Sequence, residues 1–335
     1  MMRTDDTPDF YEGAEKLLEI WFEPSSPNKA DMKWLRVISR SQWSEVLAVV
    51  NCDILNVISG LEMDAYMLSE SSMFVTNNRL IVKTCGQTTL LCALEPIMKL
   101  VQSTCQLKVQ DIFYSRRNFV KPDEQKPPHQ CFEDEVEYLD CIFKADFKSG
   151  IAYSLGRVNG DMWYMYTLDN AHSPINTPDQ TLEVLMTDLD PLCMQKFTKK
   201  VCPTTEQMLK ESQIEQLIPG AKLDVKSFDP CGFSVNAIIK EEIYYTIHVT
   251  PQASCSYVSF ETNIEKKSYF DLISKVVSLF RPSRCTVTLF ANKNAQCGHS
   301  YSVLSEQPVD GYKTSCRQFC EFQMYNLALS CLEKT

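Results

Sequence analysis

The sequence predicts an α+β protein in which strands outnumber helices. Three observations lead there. Short runs with alternating or β-branched and aromatic residues recur along the chain, two pairs of them are separated by turn-forming residues, and only a few segments carry helical periodicity. At 335 residues, 44% hydrophobic and 23% charged, the chain has the balance of a soluble globular protein with a sizeable core.

Taken in order, residues 10–22, "FYEGAEKLLEIWF", place Ala14, Leu17, Leu18 and Trp21 on one helical stripe and Glu15 and Glu19 on the other, so a first helix is expected. Glu12 would extend the acidic stripe, which on its own spacing reads first as a solvated face. Residues 65–86 read as a hairpin of "AYMLSESSMFV" and "LIVKTCG" turning at "TNNR", with Ser71 opposite Thr84 and beside Cys85. A helix is expected over 89–102, a loop over the Pro/Lys-rich 121–128, and strands over 162–168 and 180–185. The polar stretch 199–213 reads as a connection. A second hairpin, "FSVNA" with "YYTIHV", turns near Lys240 to Glu242 and pairs Ser234 with His248. Strands at 256–262 and 286–292 enclose a helix at 268–280. Helix, hairpins and helix thus recur twice, as in an internal duplication.

Forty-three acids against 33 bases give a net charge of -10, which disfavours nucleic acid and anionic membrane surfaces and suits a cationic ligand. The 15 cysteines are odd in number, and the close pair Cys316 and Cys320 has no second pair at zinc-ligand spacing, so no metal is expected. The acidic N-terminus lacks an apolar signal core and no apolar run approaches about 18 residues, which points to the cytosol and reduced thiols.

The run "YMLSESSMFV" spends three serines and a glutamate inside a strand-like segment, although buried polar groups need partners. A serine held against its own preceding carbonyl beside a base can attack it, which makes self-processing one reading of Ser71 and a structural serine the other. Six stretches in order, "FYEGAEKLLEIWF", "YMLSESSMFV", "KTCG", "FYSRRNF", "DPCGFSVN" and "TIHVTP", resemble the eukaryotic S-adenosylmethionine decarboxylase family over about residues 10 to 290.

The resemblance implies a four-layer αββα sandwich of two antiparallel sheets flanked by helices, one domain over 1–335 that is cleaved into 1–70 and 71–335, and a homodimer of the cleaved units. It implies that Ser71 attacks the carbonyl of Glu70 and that His248 removes the α-proton, leaving a pyruvoyl cofactor derived from Ser71, with Ser234 assisting. That ketone would form a Schiff base with S-adenosylmethionine and accept electrons as carbon dioxide leaves, and Cys85 would protonate the product carbon. The aminopropyl donor so made would feed spermidine and spermine synthesis.

By the same resemblance Tyr11 and Phe228 would sandwich the adenine, Glu12 and Glu15 would lie near the sulfonium, and Glu70 would border the substrate. Gln252 stands where the family's glutamate grips the ribose. Putrescine, the activator of mammalian members, would be held by Glu19, Lys83, Phe113, Ser115, Asp179, Thr181, Glu183, Glu261 and Phe290. Because of Gln252, a catalytically weak paralogue serving as regulatory subunit of an active decarboxylase is the alternative, and a cysteine hydrolase using Cys85 and His248 is a third reading.

Overall fold

The computed structural model describes residues 15–26, 32–69, 71–119, 121–145, 147, 150–229, 231–297 and 309–335. Its first half contains β1 (Lys16–Pro24), α1 (Arg40–Ala48), β2 (Ile54–Ser59), β3 (Asp64–Leu68), β4 (Ser71–Val75), β5 (Arg79–Thr84), α2 (Leu94–Cys105), β6 (Leu107–Arg117), α3 (Phe132–Phe143), β7 (Ile151–Gly156) and β8 (Met162–Thr167). The second half contains β9 (Gln180–Leu189), α4 (Pro191–Met194), α5 (Thr205–Ser212), β10 (Lys222–Ser227), β11 (Phe233–Lys240), β12 (Ile243–Thr250), β13 (Tyr257–Thr262), α6 (Phe270–Phe280), β14 (Pro282–Asn292), β15 (Tyr312–Glu321) and β16 (Tyr325–Lys334).

Two eight-stranded antiparallel sheets result, ordered β2-β3-β4-β5-β1-β6-β8-β7 and β10-β11-β12-β13-β9-β14-β16-β15. Adding eight to each strand of the first order reproduces the second, so the duplication anticipated from the pattern is present in the topology. The repeat differs from expectation in its leading element, because each half begins with the central strand of its sheet.

Layering follows from which residues share a core. Leu18, Ile20 and Val82 of the first sheet pack with Trp43, Leu94, Val101 and Leu139 of its helices. Val184, Met186 and Val258 of the second pack with Leu272, Val276 and Phe280 of α6. Between the sheets lie two further apolar clusters, one joining Trp21 and Met165 to Leu185 and Leu327, the other joining Phe74 and Ile81 to Ile238 and Tyr244. Helices therefore cover both outer faces of a face-to-face pair of sheets, the αββα arrangement. No described helix is long and apolar enough to cross a membrane.

The expected helix over 10–22 is a correction: residues 16–22 lie in β1, and 10–14 fall outside the described residues. β1 sits between β5 and β6 and is covered on both faces, Leu18, Ile20 and Phe22 on the helix side and Leu17 and Trp21 toward the other sheet. A strand buried on both faces loses the alternation that marks a half-exposed one, and its apolar run then mimics a helical stripe. Glu15 and Glu19, read also as a solvated face, are 6% and 4% exposed.

Two smaller corrections concern connections. The run 65–75, expected as one strand, is β3 and β4 folded on each other, pairing Met67 with Ser72 and Asp64 with Val75. The stretch 199–213 holds α5, whose N-terminus is closed by a capping box in which the Thr204 side chain accepts from Gln207 N–H and the Gln207 side chain returns to Thr204.

Candidate active site

Antiparallel pairing brings Ser71 opposite Thr84 and Ser234 opposite His248, as the hairpin counts require. The two hairpins belong to different sheets, and stacking those sheets sets His248 against Ser71. The Oγ of Ser71 is 2.9 Å from His248 Nε2, and Ser234 Oγ is 2.8 Å from Nδ1. Ser72 Oγ and Thr246 Oγ1 also face Nε2, at 3.1 and 3.0 Å. Burial pushes the imidazole down to about 4, so it is neutral near pH 7.

Ser71 opens β4 with φ 147°, a backbone conformation that side-chain-bearing residues rarely adopt and that persists where surrounding structure enforces it. Cys85 is half-buried and begins the loop after Thr84, the partner of Ser71. The carbonyl of Gly86, at φ 69°, accepts from the ammonium of buried Lys16 at 2.9 Å, which pins this loop.

Charged side chains fill the interlayer between the apolar clusters. Lys83 Nζ lies 2.7 Å from Glu261, 3.2 Å from Glu15 and 3.4 Å from Glu183, all buried. Burial opposes its charge, but these carboxylates outweigh it and raise the ammonium pKa. Burial likewise pushes Glu15 up, yet Lys83 and then His248 bring it below the ordinary carboxylate range. Arg79 bridges Glu19 at 2.9 Å and Asp179 at 3.3 Å. Glu19 and Glu183 are each raised to about 7, chiefly by burial, with Asp179 adding to the first and Glu261 to the second.

A cavity of about 30 Å³, lined by Leu17, Glu19, Phe113, Ser115, Trp163, Met165, Thr181, Glu183, Thr288 and Phe290, opens beside these acids. It includes six of the nine residues expected at a diamine site. Of the rest, Asp179 joins Glu19 through Arg79, while Lys83 and Glu261 join through Glu183. Register explains the gathering: Glu19 pairs with Phe113, Leu17 with Ser115, Thr288 with Glu183, Phe290 with Thr181 and Glu183 with Glu261.

Phe228 and Gln252 lie in the loops flanking the Phe233–Val249 end of the β11/β12 pair, next to the Ser234–His248 pair. Phe228 N–H donates to Gly232 O at 2.9 Å, and the Gln252 amide oxygen accepts from the Cys255 thiol at 3.6 Å. Tyr11, Glu12 and Glu70 lie outside the described residues. Sequence reasoning missed Arg79, Ser72, Asn236 and Thr246. Arg79, Asn236 and Thr246 each stand two or four residues from one it did select, on the same strand face, and Ser72 directly follows Ser71; that spacing was the available signal.

Two stacked, duplicated sheets with a serine–histidine pair and a buried acid cluster between them define a sandwich with its chemistry in the interlayer. A sequence model of adenosylmethionine decarboxylase matches residues 8–333. The S-adenosylmethionine decarboxylase proenzyme of Xenopus laevis is 43% identical over 336 residues, covering 100% of this chain and 98% of that protein. The proenzyme of Drosophila melanogaster is 43% identical, covering 95% and 94%, and that of Saccharomyces cerevisiae is 36% identical, covering 90% and 87%. A solved structure of the Trypanosoma brucei AdoMetDC-delta26 monomer shares the fold, with TM-score 0.60, 24% identity, and coverage of 78% of this chain and 99% of that one. The chain belongs to the adenosylmethionine decarboxylase family.

Proposed function

We propose that the chain is an S-adenosylmethionine decarboxylase made as a proenzyme, which cuts itself between Glu70 and Ser71 and thereafter works with a pyruvoyl group at position 71. The observation that carries this reading is the 2.9 Å approach of Ser71 Oγ to a neutral His248, at a residue held in a rare backbone conformation. Ser71 is the nucleophile toward the preceding carbonyl, His248 the base for the α-proton of residue 71, and Ser234 the partner of Nδ1. Position 71 fits such a group, since its side chain already points to His248 and its strand partner leads into Cys85. Once formed, the pyruvoyl ketone supplies the electron sink for loss of carbon dioxide from the amino acid substrate.

On this reading Phe228 stacks on the adenine, Gln252 accepts from the ribose hydroxyls, Glu15 lies toward the sulfonium and Cys85 protonates the product carbon. The product would serve as aminopropyl donor in spermidine and spermine synthesis. The cavity beside Glu19 and Glu183 suits a diamine such as putrescine: five buried carboxylates face two protein cations, and a dication relieves the imbalance. Lys83 carries the effect onward, because it touches both Glu183 at the cavity and Glu15, whose charge acts on His248. The intact mass of the purified chain under denaturing conditions tests the core reading, which requires two fragments meeting at Glu70 and Ser71.

A further inference from the structure

A neutral imidazole carries one N–H, on Nδ1 or on Nε2, and hydroxyl neighbours can serve either arrangement. Asn236 removes the ambiguity. It is fully buried on β11, directly across from Thr246. Its amide nitrogen donates to the Tyr66 carbonyl of the opposite sheet at 3.0 Å, and since a carbonyl only accepts, the amide oxygen must face the other way. There it accepts from Ser72 Oγ at 2.5 Å and from Thr246 Oγ1 at 3.1 Å. Each hydroxyl owns a single proton. With both protons committed to Asn236, the two oxygens turn lone pairs toward His248 Nε2, 3.1 and 3.0 Å away. Two acceptors at Nε2 draw the imidazole proton there and leave Nδ1 to accept from Ser234.

We propose that Asn236 is a positioning residue which, acting through Ser72 and Thr246, holds His248 as the Nε2–H tautomer, so that at rest the imidazole donates to Ser71 Oγ. The functional consequence rests on the self-processing reading above. The Nε2–H given to Ser71 Oγ turns the serine's own O–H away from the imidazole, so as the Oγ–C bond forms and the C–N bond breaks the hydroxyl proton passes to the departing residue-71 nitrogen; in the elimination that follows, the Nε2 proton goes to the leaving Glu70 carboxylate and Nε2 takes the α-proton. Asn236 thereby separates the two duties of one histidine.

The test is direct observation of the tautomer by nitrogen-15 NMR on the histidine-labelled full-length chain, carrying Ser71→Ala to prevent cleavage, with the His248 signals assigned by loss in a His248→Gln control. The expected parent spectrum shows a protonated Nε2 and an unprotonated Nδ1. Asn236→Ala frees both hydroxyl protons to turn to Nε2 and should shift the proton toward Nδ1, and with Ser71 restored it should cleave about tenfold more slowly. Asn236→Asp keeps an oxygen for both hydroxyls and should keep the Nε2–H tautomer. Thr246→Val removes one of the two acceptors and should weaken the preference, which covers the case of an unfolded alanine variant. A parent protonated at Nδ1, or an unchanged tautomer in folded Asn236→Ala and Thr246→Val, overturns the proposal. Failure of the wild-type chain to cleave would instead overturn the self-processing reading and leave the tautomer result standing.

Discussion

Ser71 and His248, 177 positions apart and on different sheets, meet with Oγ 2.9 Å from Nε2 inside a buried layer. The contact depends on the docking of two separately hydrogen-bonded sheets. The wild-type chain should therefore run as two fragments under denaturing conditions, Ser71→Ala should remain whole, and His248→Ala should be blocked or greatly slowed. A whole wild-type chain with a serine at position 71 after prolonged incubation contradicts the reading.

Cys85 directly follows Thr84, the strand partner of Ser71. Cys85→Ala should still cleave but turn over slowly and lose activity faster, through misplaced protonation that consumes the pyruvoyl group. Product and inactivated enzyme, counted per turnover, measure the partition. A wild-type ratio would assign the proton to another group.

Lys83 is the shared cation of three buried carboxyl groups, Glu15, Glu183 and Glu261. Lys83→Met removes the cation and leaves the acids, which should cost about 3 to 5 kcal/mol of stability. Denaturant unfolding of both proteins gives the difference. A loss below about 1 kcal/mol would place this cluster among weakly contributing surface-like pairs.

Glu19 and Glu183 are raised from 4.5 to about 7 in the folded chain. A carboxyl with a raised folded pKa stabilises most when protonated, so its contribution is complete below about pH 4.5 and is lost as pH rises through 7. Putrescine should reverse that loss: its effect on Tm should grow from pH 5.5 to 8, and binding near pH 7 should release protons, seen as buffer-dependent heats in calorimetry. Glu183→Gln should flatten the pH dependence. A putrescine effect that is equal at both ends of the range removes these two acids from the site.

Gln252 accepts a thiol hydrogen bond from Cys255, and on the proposed reading it also accepts from the ribose of the substrate, where a charged acceptor would bind more tightly. Gln252→Glu should lower KM for S-adenosylmethionine roughly five- to tenfold, the worth of a charge-assisted bond over a neutral one, with kcat little changed. Steady-state kinetics decide. A fall in kcat alone would place residue 252 in the chemistry.

Local pattern and motif by themselves determined the two hairpin registers, the strands over 162–168, 180–185, 256–262 and 286–292, the helices near 89–102 and 268–280, and the family. Cross-strand partners follow from turn position and a period of two, which are properties of neighbouring residues. The identity of β1 was not legible, because burial on both faces comes from layers contributed by distant parts of the chain. Nor were Arg79, Asn236 and Thr246. Their chemistry arises from groups on the facing sheet, Asp179 for Arg79, Tyr66 for Asn236 and Ser72 for Thr246. Whether Glu15 and Glu19 meet water or a counter-ion was likewise undecidable from their spacing. A carboxylate's surroundings are set by what packs over it, and here that is the other sheet, which brings Asp179 to Arg79 above Glu19 and closes Glu183 and Glu261 around the Lys83 that holds Glu15.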